Sequence, residues 1–148
     1  MHGVSKITSA ENVMLISYSD ADAPFMVKVL NDLAMAGVVV DMISQTAPSG
    51  KNFRFSFTAS SQHFDTTIKV IGGEKKGAPM VSVGYAKIYL FGKEMVESVG
   101  VAARALDALA DDGVDIALIT TSDLDISLLL RQEDADVAMD LLKKAFAL

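Results

Sequence analysis

The side chains able to do chemistry are few and badly spaced for doing it together. Cysteine is absent, which removes disulfides and thiolate metal ligands. The two histidines, His2 and His63, have no partner at metal-ligand spacing. His2 reads as part of the chain terminus, and His63 as a solvated residue in the first turn of a helix. No GxSxG, no GxxxxGK[ST] and no post-strand GxGxxG occurs. Asp111-Asp112 abuts Gly113 and reads as a solvated helix end rather than a general acid–base pair. Neither catalytic residues nor metal ligands can be assembled, and no cofactor is called for. Asp20, Asp22 and Asp115 sit in turns, where carboxylates ordinarily cap helices and stabilise bends.

The elements that would position such residues repeat. Val29–Ser44 aligns with Ala105–Thr120: Leu30 matches Leu106, Leu33 matches Leu109, Gly37 matches Gly113, and Ile43 matches Ile119. Phe53, Phe55 and Phe57 match Leu124, Ile126 and Leu128 downstream. Self-similarity that extends through a helix and the strands after it marks a duplicated supersecondary unit. The first copy reads strand (13–18), helix (24–36), Gly37, strand (38–45), turn at Pro48–Asn52, strand (53–57) and helix (about 60–71). The second reads strand (87–91), helix (99–110), Gly113, strand (114–121), strand (124–130) and helix (133–146). An extra strand is expected at 80–85. Both copies predict α+β, ferredoxin-like βαββαβ units with antiparallel sheets and helices on one face. The boundaries are expected at 9–85 and 86–148. The second copy is one strand short, and residues 3–8 are the available piece, so the copies are expected to interlock through the N-terminal strand.

Composition sets the remaining bounds. The 148 residues are 51% hydrophobic, enough for a core. A formal charge of −6 leaves no basic footprint for nucleic acid, and Lys75-Lys76 reads as a solvated turn. No apolar run is long enough to span a bilayer, and the start lacks the apolar segment of a secretory signal. A cytoplasmic location is expected. Most of the eight methionines, including Met14, Met42 and Met139, fall on core positions.

Six stretches carry a family resemblance. Val39-Val-Asp-Met-Ile-Ser-Gln45 with Phe55-Ser-Phe-Thr58 resembles the first ACT domain in the regulatory half of aspartate kinases. Lys87-Ile-Tyr-Leu-Phe-Gly92, Val99-Gly-Val101 and Asp115-Ile-Ala-Leu-Ile-Thr-Thr-Ser-Asp-Leu-Asp-Ile-Ser127 resemble the second. Lys143-Lys-Ala-Phe146 resembles the family's closing helix. The catalytic domain's Lys-Phe-Gly-Gly-type motif is not in this sequence. The resemblance implies a feedback module of lysine, threonine and methionine biosynthesis. Such modules bind free lysine or threonine where ACT units meet, form homodimers, and act on a kinase catalytic partner.

The resemblance places the effector at Asp20, Asp22, Ala23, Phe25, Gln45, Ser56, Gly100, Asp115 and Ile116. Backbone amides at a helix start suit an amino acid's carboxylate, and a side-chain carboxylate suits its ammonium. The family's Asp-x-Pro-Gly loop reads here Ser19-Asp-Ala-Asp-Ala-Pro-Phe25. Asp20 keeps the acidic position, while Phe25 replaces the glycine and could fill the pocket. Gln45 matches a ligand-contacting glutamine. In the second unit, Asn-Ile reads Asp115-Ile116, and His-Pro-Gly reads Ser98-Val-Gly100. A ligand-blind oligomerisation module is the alternative expectation. A small enzyme on this frame ranks below both, for want of a nucleophile–base pair.

Overall fold

The computed structural model describes residues 2–73 and 78–148. Lys75-Lys76 lies outside the described residues. The element order is β1 (Lys6–Ala21), α1 (Ala23–Met35), β2 (Ile43–Gln45), β3 (Phe53–Ser60), α2 (Phe64–Gly72), β4 (Met80–Phe91), α3 (Val101–Ala110), β5 (Ile116–Thr121), β6 (Asp125–Arg131) and α4 (Ala135–Ala145). Packing divides the chain into Asn12–Val83 and a second unit made of Gly84–Leu148 with the chain before Asn12. Both boundaries fall inside a strand, because β1 and β4 each run from one unit into the other.

In the Asn12–Val83 unit, β3 pairs antiparallel with both β1 and β2. Alternate residues Met14, Ile16 and Tyr18 of β1 and Phe53, Phe55, Phe57 and Ala59 of β3 share one face. There they meet Phe25, Val29 and Leu33 of α1 and Ile71 of α2 in one core. The period-two and helical spacings thus place both helices on the same side of the sheet. Tyr18, Phe25, Phe55 and Phe57 form an aromatic series, with Tyr18 stacked on Phe55 at 4.9 Å and Phe25 edge-on to Tyr18 at 5.2 Å.

The Gly84–Leu148 unit repeats the scheme. Here β6 pairs antiparallel with β4 and β5. Ile88, Leu90, Ile126, Leu128 and Leu130 pack against Val101, Ala105 and Leu109 of α3 and Ala138 and Leu142 of α4. Val4 lies wholly buried in this same core with Ile7 against it, and the Ser5 amide donates to the Phe91 carbonyl at 2.8 Å. The residues before Asn12 thus pack with the second unit.

The helix ends show the duplication at atomic level. Gly37 has φ +79°, its amide donates to the Ala34 carbonyl, and the Val38 amide reaches the Leu33 carbonyl. Gly113 has φ +71°, with the same bonds to Ala110 and from Val114 to Leu109. Both are left-handed glycine stops whose following valine tucks into the core.

Two strand readings needed revision. The segment 38–45 is a strand only over Ile43–Gln45, because Thr58 bonds two successive residues, its carbonyl accepting the Asp41 amide, its hydroxyl accepting the Met42 amide and its own amide donating to the Met42 carbonyl, which ends the regular register. The expected separate strands at 80–85 and 87–91 are one strand, β4, which passes through Gly84 at φ +83°.

Candidate effector site

At the end of β1 the chain must turn into α1, and Asp22 makes the turn. Its carboxylate accepts the Phe25 amide at 3.0 Å as the N-cap, while Pro24 occupies the first turn without an amide to satisfy. Such a cap contributes about 1 kcal/mol. It also occupies the amide that would otherwise face an anion, so this helix start presents a carboxylate rather than a bare donor. The Phe25 side chain is buried against Tyr18 in the core.

Asp20 lies just before this turn, exposed, with its Oδ1 accepting from the Asn52 amide group at 2.8 Å. Asn52 belongs to the turn of the β2–β3 hairpin. That turn is closed by Ser49 and Asn52, and by Thr46, whose amide donates to the Arg54 carbonyl at 2.9 Å and whose hydroxyl accepts the Arg54 amide at 3.0 Å. Ser19, Asp20, Thr46, Ala47, Ser49, Asn52, Phe53 and Arg54 together line a polar cleft of about 550 Å³.

The second unit has a cleft of its own, of about 310 Å³, where the connection after β4 meets the end of β5. Its walls are Ser98, Gly100–Ala103, Thr121 and Ser122, with Met95 and Ile126 at its apolar side. Gly100 stands at φ +80° as the N-cap of α3, and no side chain caps this helix. The two helix starts differ chemically, one closed by its own carboxylate and the other open.

The expected site residues fall into separate places. Asp20 lines the first cleft, with Asp22 and Ala23 at the adjoining helix start. Gln45 ends β2 opposite Phe55, exposed. The Ser56 hydroxyl is half-buried and bonded to that of Ser17 at 2.9 Å, one strand away from the loop. Gly100 lines the second cleft. Asp115 and Ile116 stand at the start of β5, whereas Thr121 at its end is the residue that reaches that cleft. Five residue steps of about 3.3 Å each separate the two ends of β5.

Arg54, Asn52 and Thr46 were not marked by sequence reasoning. The available signal was the alternation itself: Arg54 sits between two buried phenylalanines, so its side chain leaves on the face opposite the core. Among the described residues no group of three or more histidine, cysteine or carboxylate side chains could hold a metal ion. Nor is any helix among them long and apolar enough to cross a membrane.

Residues 88–146 match the family model of the ACT domain. The aspartokinase of Geobacillus stearothermophilus is 30% identical over 116 residues, which are 78% of this chain and 28% of that protein. The chain thus spans under a third of the length of this curated relative. The ligand-free regulatory subunit of aspartate kinase from Thermus thermophilus superposes with a TM-score of 0.87 at 26% identity, over 97% of this chain and 99% of that one. The aspartate kinase from Synechocystis superposes at 0.90 and 26% identity, over 99% of this chain and 27% of its own.

Proposed function

The chain is an ACT-domain protein of the aspartokinase regulatory type, and from that premise we propose that it is a regulatory module that binds a free amino acid, lysine or threonine. The observation that carries the reading is the cleft at the Ser19–Asp20 connection. There a carboxylate fixed by Asn52 faces a turn rich in hydroxyls, next to a helix start with no open anion site. A fixed carboxylate in a polar cleft suits an ammonium group. Of the other expected residues, Asp22 and Ala23 adjoin this cleft at the helix start, while Gly100, Asp115 and Ile116 belong to the other unit.

The mechanism is a population shift. The amino acid stabilises one arrangement of the module, and a kinase catalytic partner reads that arrangement. The module works as a homodimer. The Thermus thermophilus neighbour, itself a regulatory subunit of an aspartate kinase, supports this division of labour. The module has no catalytic step of its own, in keeping with a homology confined to the regulatory part of aspartokinases.

Calorimetric titration of lysine and threonine into the chain tests the proposal. Wild type is expected to bind at least one of them. Asp20→Asn, which removes the charge but keeps the shape, is expected to weaken binding by about 10- to 100-fold. Its circular dichroism should be unchanged, since Asp20 is exposed. Silence from all twenty amino acids at millimolar concentration refutes the proposal. That result would favour a ligand-blind oligomerisation module, a reading supported by the buried Phe25 and the self-capped α1.

A further inference from the structure

We infer that Arg54 is the carboxylate anchor of the first cleft, with Asp20 as the ammonium anchor, so that this unit alone selects an α-amino acid with both termini free. The inference rests on the amino-acid reading above and assigns the atoms that reading left open.

The strand registers make the two units comparable residue by residue. Tyr18 pairs with Phe55 as Leu90 pairs with Ile126. Gln45 pairs with Phe55 as Thr121 pairs with Ile126. The Thr46 amide donates to the Arg54 carbonyl at 2.9 Å, and the Ser122 amide to the Asp125 carbonyl, also at 2.9 Å. Arg54 and Asp125 therefore hold the same place in the two copies, as do Asp20 and Gly92. The charge at the hairpin position is reversed between copies, and the carboxylate at the loop position is present in only one.

Each difference has a structural consequence. Arg54 is tethered at its backbone by its bonds with Thr46, and its exposed side chain has no carboxylate partner among the described residues. A guanidinium presents a planar fork of donors that matches a carboxylate. Asp20 gives one oxygen to Asn52 at 2.8 Å, and an ionised carboxylate has further lone pairs for an ammonium. The cleft thus offers one anchor for each end of a zwitterion, with Ser19, Thr46 and Ser49 hydroxyls lining the remainder.

The second unit cannot assemble this pair. Asp125 accepts the Tyr89 hydroxyl at 3.4 Å. Loss of hydration, and then the Asp125 carboxylate, hold that phenol above its ordinary range. At Gly92 a side chain is excluded, because a Cβ there would overlap the Gly3 carbonyl oxygen.

The test titrates lysine and threonine, each as the free acid, the carboxamide and the N-acetyl derivative, into the full chain. Wild type is expected to bind one free acid and to bind its carboxamide about 10- to 100-fold more weakly. Arg54→Gln should weaken the free acid by the same factor while leaving the carboxamide unchanged, and Arg54→Lys should restore part of the loss. Asp20→Asn should abolish the distinction between the free and N-acetylated amine. Asp125→Asn should leave binding as in wild type. Binding of the free acid that Arg54→Gln does not alter overturns the inference and leaves amino-acid sensing standing. Failure of wild type to bind either free acid removes both.

Discussion

Replacing Gly92 by alanine is expected to cost about 3 kcal/mol of stability and to release the N-terminal residues to proteases. Gly92 has φ −169°, extended backbone that alanine adopts readily, so the penalty is steric rather than conformational. An added Cβ would overlap the Gly3 carbonyl oxygen and lie 2.8 Å from its carbon and 3.0 Å from Val4 Cα. All three are backbone atoms, so no side-chain rotation relieves the clash. The first residues must move instead. Moving them breaks the Ser5–Phe91 backbone bond, worth about 1 kcal/mol, and exposes the fully buried Val4, worth about 2 kcal/mol. Thermal unfolding and limited proteolysis read the two effects. Gly100→Ala is the useful contrast, since a Cβ there has open space and only its φ of +80° opposes it. That change should cost about 1 kcal/mol and leave the N-terminal residues protected. Equal behaviour of the two variants would contradict the account of the N-terminal strand.

Phe57→Ala is expected to cost about 3–5 kcal/mol and to act on one unit more than the other. Phe57 is fully buried and faces Phe55 with ring centroids 6.0 Å apart. Its backbone sits between Ile16 of β1 and Ile43 of β2. Removing the ring leaves a cavity in a core supplied mainly by β1, β3 and the two helices. Domains of this size commonly have a total stability of about 5–15 kcal/mol, so the loss is a large share. The Gly84–Leu148 unit keeps a separate core and none of its buried residues belongs to the Phe57 cluster. Amide exchange should therefore quicken in α1 and β3 while α3 and α4 keep their protection. Uniform loss of protection across both units would show that they do not hold separate cores.

The duplication was legible because its markers are local. Helix stops at Gly37 and Gly113, phenylalanines at every second residue of β3, and leucines at helical spacing are enforced by backbone geometry and burial. They read the same in sequence and structure. The long strands were not legible. The polar run Thr8–Asn12 and the mid-strand Gly84 hid the continuity of β1 and β4. Both strands extend across a boundary where no single core imposes alternation, so no period-two signal is required there. Val38–Gln45 looked like one strand because β-branched residues dominate it, but a threonine hydroxyl in the ladder cannot be foreseen from composition. The candidate site was legible in part. Asp20 follows from its loop position and the family pattern. Arg54 and Asn52 depend on how a hairpin turn folds back toward that loop, a juxtaposition set by strand register over more than thirty residues of sequence.

The most direct measurement is the amide spectrum of the isotope-labelled chain, recorded while free lysine and then free threonine are added. If the chain senses an amino acid through the first unit, one of them should shift amides at 19–21, 46–49 and 52–54 in a saturable way. Amides near Asp125 should not move in step with direct contact. Spectra that stay superimposable for both amino acids up to millimolar concentration would contradict the account.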